Sequence, residues 1–279
     1  MASILALLSS VLWGSADFVG GYLAKKHKAF AVTAVSQVFG LIFGVFLVLI
    51  TKEFIAPNLS WNGYVIPGIF SSIAGFIGLV VFYQGLATGR MGVVSSIASL
   101  GAIIPIAVVV INGERPAKLQ IIGMAIALVG AFCASGPEVV KGFPFKPIAL
   151  GIAAMFSFGI ALSFMAQGSK TSSLLTMTTM RAFSFIVTFA VALVIRNFGS
   201  FQKSEIKFLI FMGIADFLAN LFLGIATTKG LVSVAMVLGS LVPIATALLA
   251  YKVLHERLHR IQYLGIFLAI FGVAVTSIS

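Results

Sequence analysis

Apolar residues run along this chain in blocks about as long as the 20 or so positions needed to cross a bilayer core, separated by short stretches that gather Lys, Arg, Pro and Gly. Cutting at those stretches predicts helices over 3–24, 29–51, 64–86, 91–112, 117–135, 147–168, 172–195, 208–227, 231–254 and 261–278. The longest connections are Thr51 to Gly63 and Ser135 to Pro147, and the second holds Pro137, Gly142, Pro144 and Pro147, as a linker between halves would. The expected fold is all-α and membrane-integral, with ten transmembrane helices in two five-helix halves, 1–140 and 141–279. The stretch Met1–Leu12 lacks a basic leader region, and its apolar run continues through Tyr22, so it reads as a first span and not a cleaved signal.

Composition removes most alternatives. Of the 279 residues, 60% are apolar and 9% charged, with a mean hydropathy of +1.16, whereas a soluble domain carries about 25% charged residues. The net charge of +11 sits mainly between apolar runs, where Lys and Arg set topology and meet anionic lipid headgroups. It does not call for a nucleic-acid partner. Cys133 lies alone inside an apolar run, so neither a disulfide framework nor a thiolate metal site is expected.

The halves repeat each other. Leu100-Gly101-Ala102-Ile103-Ile104-Pro105 recurs as Leu238-Gly239-Ser240-Leu241-Val242-Pro243, Gly85-Leu86-Ala87-Thr88 as Gly224-Ile225-Ala226-Thr227, and Glu114-Arg115 with Gln120 and Gly123 as Glu256-Arg257 with Gln262 and Gly265. Five is odd, so successive copies would enter the membrane from opposite sides, giving an inverted repeat with a site near the midplane. These motifs, with Trp13-Gly14-Ser15-Ala16-Asp17-Phe18-Val19-Gly20-Gly21 and Asp216-Phe217-Leu218-Ala219-Asn220, resemble the drug/metabolite transporter superfamily in its EamA-type branch. The resemblance spans nearly the whole chain. It implies a transporter, a small-molecule substrate and cytoplasmic termini, and it leaves the substrate open.

Polar residues are segregated. All five glutamates and all three histidines fall in connections or at helix ends, while both aspartates, Asp17 and Asp216, fall inside spans. An ionised Asp at mid-helix costs about 2.5–3.5 kcal/mol on insertion scales, so such groups normally face a cavity or a partner. Asn220 lies one turn from Asp216, Trp13 and Gly21 share a face with Asp17, and the third intramembrane charge is Arg181, whose counterpart in the first half is Gln37. Arg181 reads either as a helix-holding partner of one aspartate or as part of a substrate and proton site. Aligned halves set apolar Phe158 and Leu162 against Trp13 and Asp17, and Ile77 and Val81 against Asp216 and Asn220, an asymmetry that suits one asymmetric ligand. The candidate substrate-binding or coupling residues are therefore Trp13, Asp17, Gln37, Tyr83, Gln84, Arg181, Asp216 and Asn220. Pro105 and Pro243 free a backbone carbonyl each inside a span and are candidate hinges. Pairs such as Gly40/Gly44 and Gly85/Gly89 have the spacing for close helix approach.

His255-Glu256-Arg257-Leu258-His259 matches the zinc-protease pattern H-E-x-x-H, but lies in a connection whose counterpart, Gly113-Glu114-Arg115-Pro116-Ala117, has no histidine. No metal, cofactor or enzymatic activity is expected. Connections after odd-numbered helices carry twelve Lys and Arg against five on the other face, which puts both termini outside the cytoplasm, opposite to what the resemblance implies. The function expected is a secondary transporter, exporter or exchanger, of a small metabolite such as an amino acid. It would be a monomeric multi-pass protein of the cell inner membrane, working by alternating access, with protons as a coupling ion. Efflux of a hydrophobic cation or drug is the competing reading, ahead of a passive channel or a membrane-embedded enzyme.

Overall fold

The computed structural model describes residues 1–88, 91–135, 145–195, 200–253 and 258–277. Among these there are twelve α-helices and no strand: α1 (Ala2–Ala24), α2 (Ala29–Thr51), α3 (Val65–Leu86), α4 (Met91–Ser99), α5 (Ile103–Ile111), α6 (Lys118–Ala134), α7 (Phe145–Ser169), α8 (Ser173–Ile195), α9 (Lys203–Lys229), α10 (Val232–Gly239), α11 (Val242–Val253) and α12 (Arg260–Ser277). The linker prolines Pro137 and Pro144, and His255 to Arg257 of the histidine motif, lie outside the described residues.

One expectation needs correction. The helices expected over 91–112 and 231–254 are each discontinuous. A 3-10 turn, Leu100–Ala102, separates α4 from α5, and Ser240–Leu241 separates α10 from α11. A proline stands in the first turn after each break, Pro105 and Pro243, and its missing N–H and ring remove the hydrogen bond to the carbonyl four residues back. The expectation of ten spans is met in part. Among the described residues, eight segments are long and apolar enough to cross a membrane: α1, α2, α3, α7, α9, most of α8, and the broken segments Val93–Ile111 and Val232–Leu249. The helices α6 and α12 are apolar but shorter. The 17 residues of α6 reach about 26 Å at 1.5 Å per residue, at the lower end of the lengths that cross a hydrocarbon core.

A smaller difference is at the start of α9, which begins at Lys203 and not near 208. The charged turn is wound into the helix because the Glu205 carboxylate accepts the Gln202 N–H at 2.9 Å, satisfying a donor that the helix start leaves free.

The packing is the same when the halves are exchanged. The contact of α3 with α7 answers that of α1 with α9, α2 on α9 answers α3 on α8, α4 on α7 answers α10 on α1, and α6 packs on α12. Small residues make these approaches possible. Gly14 sits against Ala245 and the Val242 carbonyl, while Gly159 sits against Ile104 and the Gly101 carbonyl. At the α6–α12 seam, Gly123 and Gly130 meet the backbone of Gly272, Thr276, Gly265 and Ala269, and Gly265 and Gly272 return the contact. Gly40 packs on the Gly213 carbonyl and Gly44 on the Phe217 ring. Gly85 meets Val94, and Gly89 lies outside the described residues.

A methyl group at Gly265 would press into the backbone of Cys133 and Ala134, whereas one at Gly75 would meet Ala161 at 3.6 Å, an ordinary contact. Gly265→Ala is expected to lower the stability of purified protein by about 1–3 kcal/mol or more, the cost of overpacking, and Gly75→Ala to leave it near wild type. Melting curves in one detergent compare the two.

Candidate functional site

Asp216 stands in the middle of α9, 7% exposed, and its carboxylate collects donors from four helices. On α1, the Trp13 indole Nε1 donates to Oδ1 at 2.9 Å. On α2, Gln37 Nε2 donates to Oδ2 at 3.0 Å. On α8, Arg181 Nη2 donates to the same oxygen at 2.8 Å, closing an ion pair. One turn along α9, Asn220 Nδ2 reaches Oδ1 at 3.1 Å and the Asp216 carbonyl at 2.7 Å. An ionised carboxylate offers about four lone-pair positions. All four are used, so Asp216 is a hub whose charge is neutralised by Arg181 and whose orientation is fixed.

Asp17 is different. It lies one turn beyond Trp13 on α1 and, among the described residues, takes one long bond, from the Tyr83 hydroxyl at 3.4 Å. Tyr83 is held by the flat face of α1, its ring lying where a Cβ at Gly20 would be. The Asp17 carboxylate is thus largely free to accept hydrogen bonds from something else.

Both aspartates open onto one cavity of about 120 Å³, room for several waters or a small polar group, since one water needs about 10–15 Å³ measured this way. Its titratable lining is Asp17, Asp216 and Arg181, a formal net charge of −1. The broken helices end on it: Ser99, Gly101 and Ala102 line it from one break, Gly239, Ser240, Val242 and Pro243 from the other. The repeat counterparts Phe158 and Leu162 supply an apolar wall from α7, with Phe76 and Phe82 beside them. Trp13 and Asp17 on α1 thus have apolar counterparts within the same cavity.

Of the residues expected at the site, Trp13, Asp17, Gln37, Arg181, Asp216 and Asn220 line this cavity. Tyr83 sits behind Asp17, buried. Gln84 is exposed and lies off the cavity, because one residue beyond inward-facing Tyr83 the helix has turned by about 100°. Pro243 lines the cavity, whereas Pro105 is buried behind its own break. Sequence reasoning missed the serines. Ser71 and Ser72 on α3 and Ser184 on α8 line the cavity, Ser72 and Ser184 sharing a hydrogen bond of 2.8 Å and Ser71 donating to the Ala161 carbonyl at 2.7 Å. Isolated serines are common in apolar helices, and nothing in their spacing set these apart.

The sequence matches the EamA-like transporter family over residues 1–136 and again over 145–278. The chain belongs to the EamA-like transporter family. No curated protein matches the sequence. A solved structure described as "Crystal structure of protein" superposes with a TM-score of 0.80 at 15% identity, covering 99% of this chain and 96% of that one, and shows the same fold. This EamA-like protein is therefore a multi-pass membrane transporter of the drug/metabolite kind, and not an enzyme. The cavity is the place in it where polar groups from both halves converge.

Removing one partner of a buried ion pair strands the other charge, at a cost of about 3–5 kcal/mol, while removing both is far milder. Arg181→Ala alone is expected to destabilise the transporter by that amount, and adding Asp216→Ala to restore much of it. A double-mutant cycle on thermal unfolding measures the coupling.

Proposed function

We propose that this protein is a secondary transporter, exporter or exchanger, that moves a small metabolite bearing an amino group, such as an amino acid, by alternating access. The observation that carries the reading is the free Asp17 carboxylate in a cavity bounded by the ends of both broken helices. Broken helices beside a midplane cavity are the usual substrate sites of transporters built from inverted repeats, and residues 1–140 and 141–279 are taken as the two repeats. The protein works as a monomer in the cell inner membrane.

Asp17 is the residue that would receive a substrate ammonium or a coupling proton, since Asp216 is already saturated by Trp13, Gln37, Arg181 and Asn220. That divides the labour between two acids that look alike in sequence. Trp13 is the aromatic wall beside the carboxylate and favours a cation at its face. A second reading, efflux of a hydrophobic cation, is favoured by the phenylalanine wall and the net charge of −1; it uses the same carboxylate.

Liposomes containing the purified protein, preloaded with pooled metabolites and aromatic cations, are sampled by mass spectrometry for what leaves or exchanges. One amine-bearing compound is expected to be lost in a saturable, pH-dependent way, and Asp17→Asn to reduce that flux by about tenfold or more, the equivalent of roughly 1.4 kcal/mol. Flux unchanged in Asp17→Asn at every pH would remove Asp17 from both binding and coupling. Loss of aromatic cations alone selects the second reading.

A further inference from the structure

The glutamates read from sequence as loop residues join the two halves wherever they are described. Glu53 Oε1 accepts the Ser172 hydroxyl at 2.6 Å, and Glu205 pairs with His27 Nε2 at 3.0 Å. Both tie the ends of continuous helices. Glu114 is different: its Oε2 accepts the Val232 N–H and its Oε1 the Ser233 N–H, each at 2.9 Å. Those two donors are the first turn of half-helix α10, which has no side-chain cap of its own. Glu114 itself is fixed at the end of the other broken helix. Its N–H donates to the Val109 carbonyl at 2.9 Å, and the turn before it closes through Gly113 at φ +105°, where glycine is unstrained.

One carboxylate therefore bolts the end of α5, from the first half, to the start of α10, from the second. The eight residues of α10 span about 12 Å, and its far end, Gly239 and Ser240, lines the substrate cavity. A bidentate acid on a helix N-terminus is also favoured by the helix dipole. We infer that Glu114 is a positioning residue of transport: it clasps α10 against α5, and release of this clasp opens the cavity toward the face that carries the α5–α6 connection. The inference rests on the alternating-access reading above. It adds a residue that touches no substrate and acts through the half-helix.

Two substitutions address it from opposite sides. Glu114→Gln keeps the shape but replaces one acceptor by an amide NH₂, setting donor against donor. Val232→Pro deletes one of the two N–H groups at the first helical position, where proline is tolerated, after Leu231 at ψ 128°, which suits a residue before proline. Both are made in a Cys133→Ala, Ser240→Cys background. A membrane-impermeant maleimide is applied to right-side-out and inside-out vesicles, and a separate Asn112→Cys protein shows which side carries the connection.

Glu114→Gln is expected to speed labelling at position 240 from that side by about tenfold, since a hydrogen bond to a charged group is worth more than the 1.4 kcal/mol that tenfold requires. Val232→Pro should move it the same way by less, with both proteins melting close to the parent. Unchanged labelling in both variants, or equal acceleration from both sides, overturns the clasp in favour of simple structural support. So does a Glu114→Gln protein that fails to fold while Val232→Pro labels like the parent. If position 240 is unreactive from both sides in every background, the cavity does not reach water, and the transport reading beneath the clasp fails with it.

Discussion

The ion pair between Arg181 and Asp216 is the constraint around which the rest of this transporter is arranged. A guanidinium and a carboxylate inside an apolar bundle are tolerable only together, so α8 and α9 must present them to each other at 2.8 Å. The remaining acceptor positions on Asp216 must be filled as well, and Trp13 and Gln37 fill them from α1 and α2. Two helices of each half thereby meet on one carboxylate. Small residues allow it: Gly40 lies against the Gly213 carbonyl and beside the Arg181 side chain, so the hub forms where α2, α8 and α9 come close. Such a pair adds little net stability compared with apolar packing, and its value lies in fixing one arrangement.

Saturating Asp216 leaves Asp17 as the acid with spare hydrogen-bonding capacity, one turn away from the shared tryptophan. The ion pair and the second acid give the cavity one fixed carboxylate and one available carboxyl group. Around them, the two broken helices end at the cavity edge, where backbone groups freed by a break inside the membrane can be accommodated. The polar centre and both helix breaks therefore occupy the same place.

Much of this was legible in sequence, for reasons that can be named. Charges are so costly in apolar runs that Asp17, Arg181 and Asp216 had to be at a site or in a pair, and Gln37 drew notice as the repeat counterpart of Arg181. The repeated Gly and Pro positions marked both breaks, although the apolar runs on either side read as unbroken helices. Sequence could not say which aspartate takes Arg181, because helical periodicity gives a face and not a neighbour. It named Tyr83 and Gln84 together, and one residue of helical rotation leaves Tyr83 buried and Gln84 exposed. It passed over Ser72 and Ser184, whose bond links α3 and α8, and placed Glu53, Glu114 and Glu205 in connections or at helix ends without showing that each reaches across to the other half. Apolar composition reports the run, and among the described residues length sets α6 and α12 apart from the other eight.

The central claim is that the cavity beside Asp17 and Asp216 is where substrate binds, and the protein carries its own reporter there. Of its two tryptophans, Trp13 lines the cavity and Trp61 lies outside it, exposed and stacked on Phe70 at 5.4 Å. In a Trp61→Phe protein, emission comes from Trp13 alone, and titration with a compound that the protein transports reads the site directly. A saturable change in emission, lost in the Asp17→Asn version, is the result this account predicts. An emission spectrum that stays constant at concentrations that saturate transport would place the substrate elsewhere and contradict it.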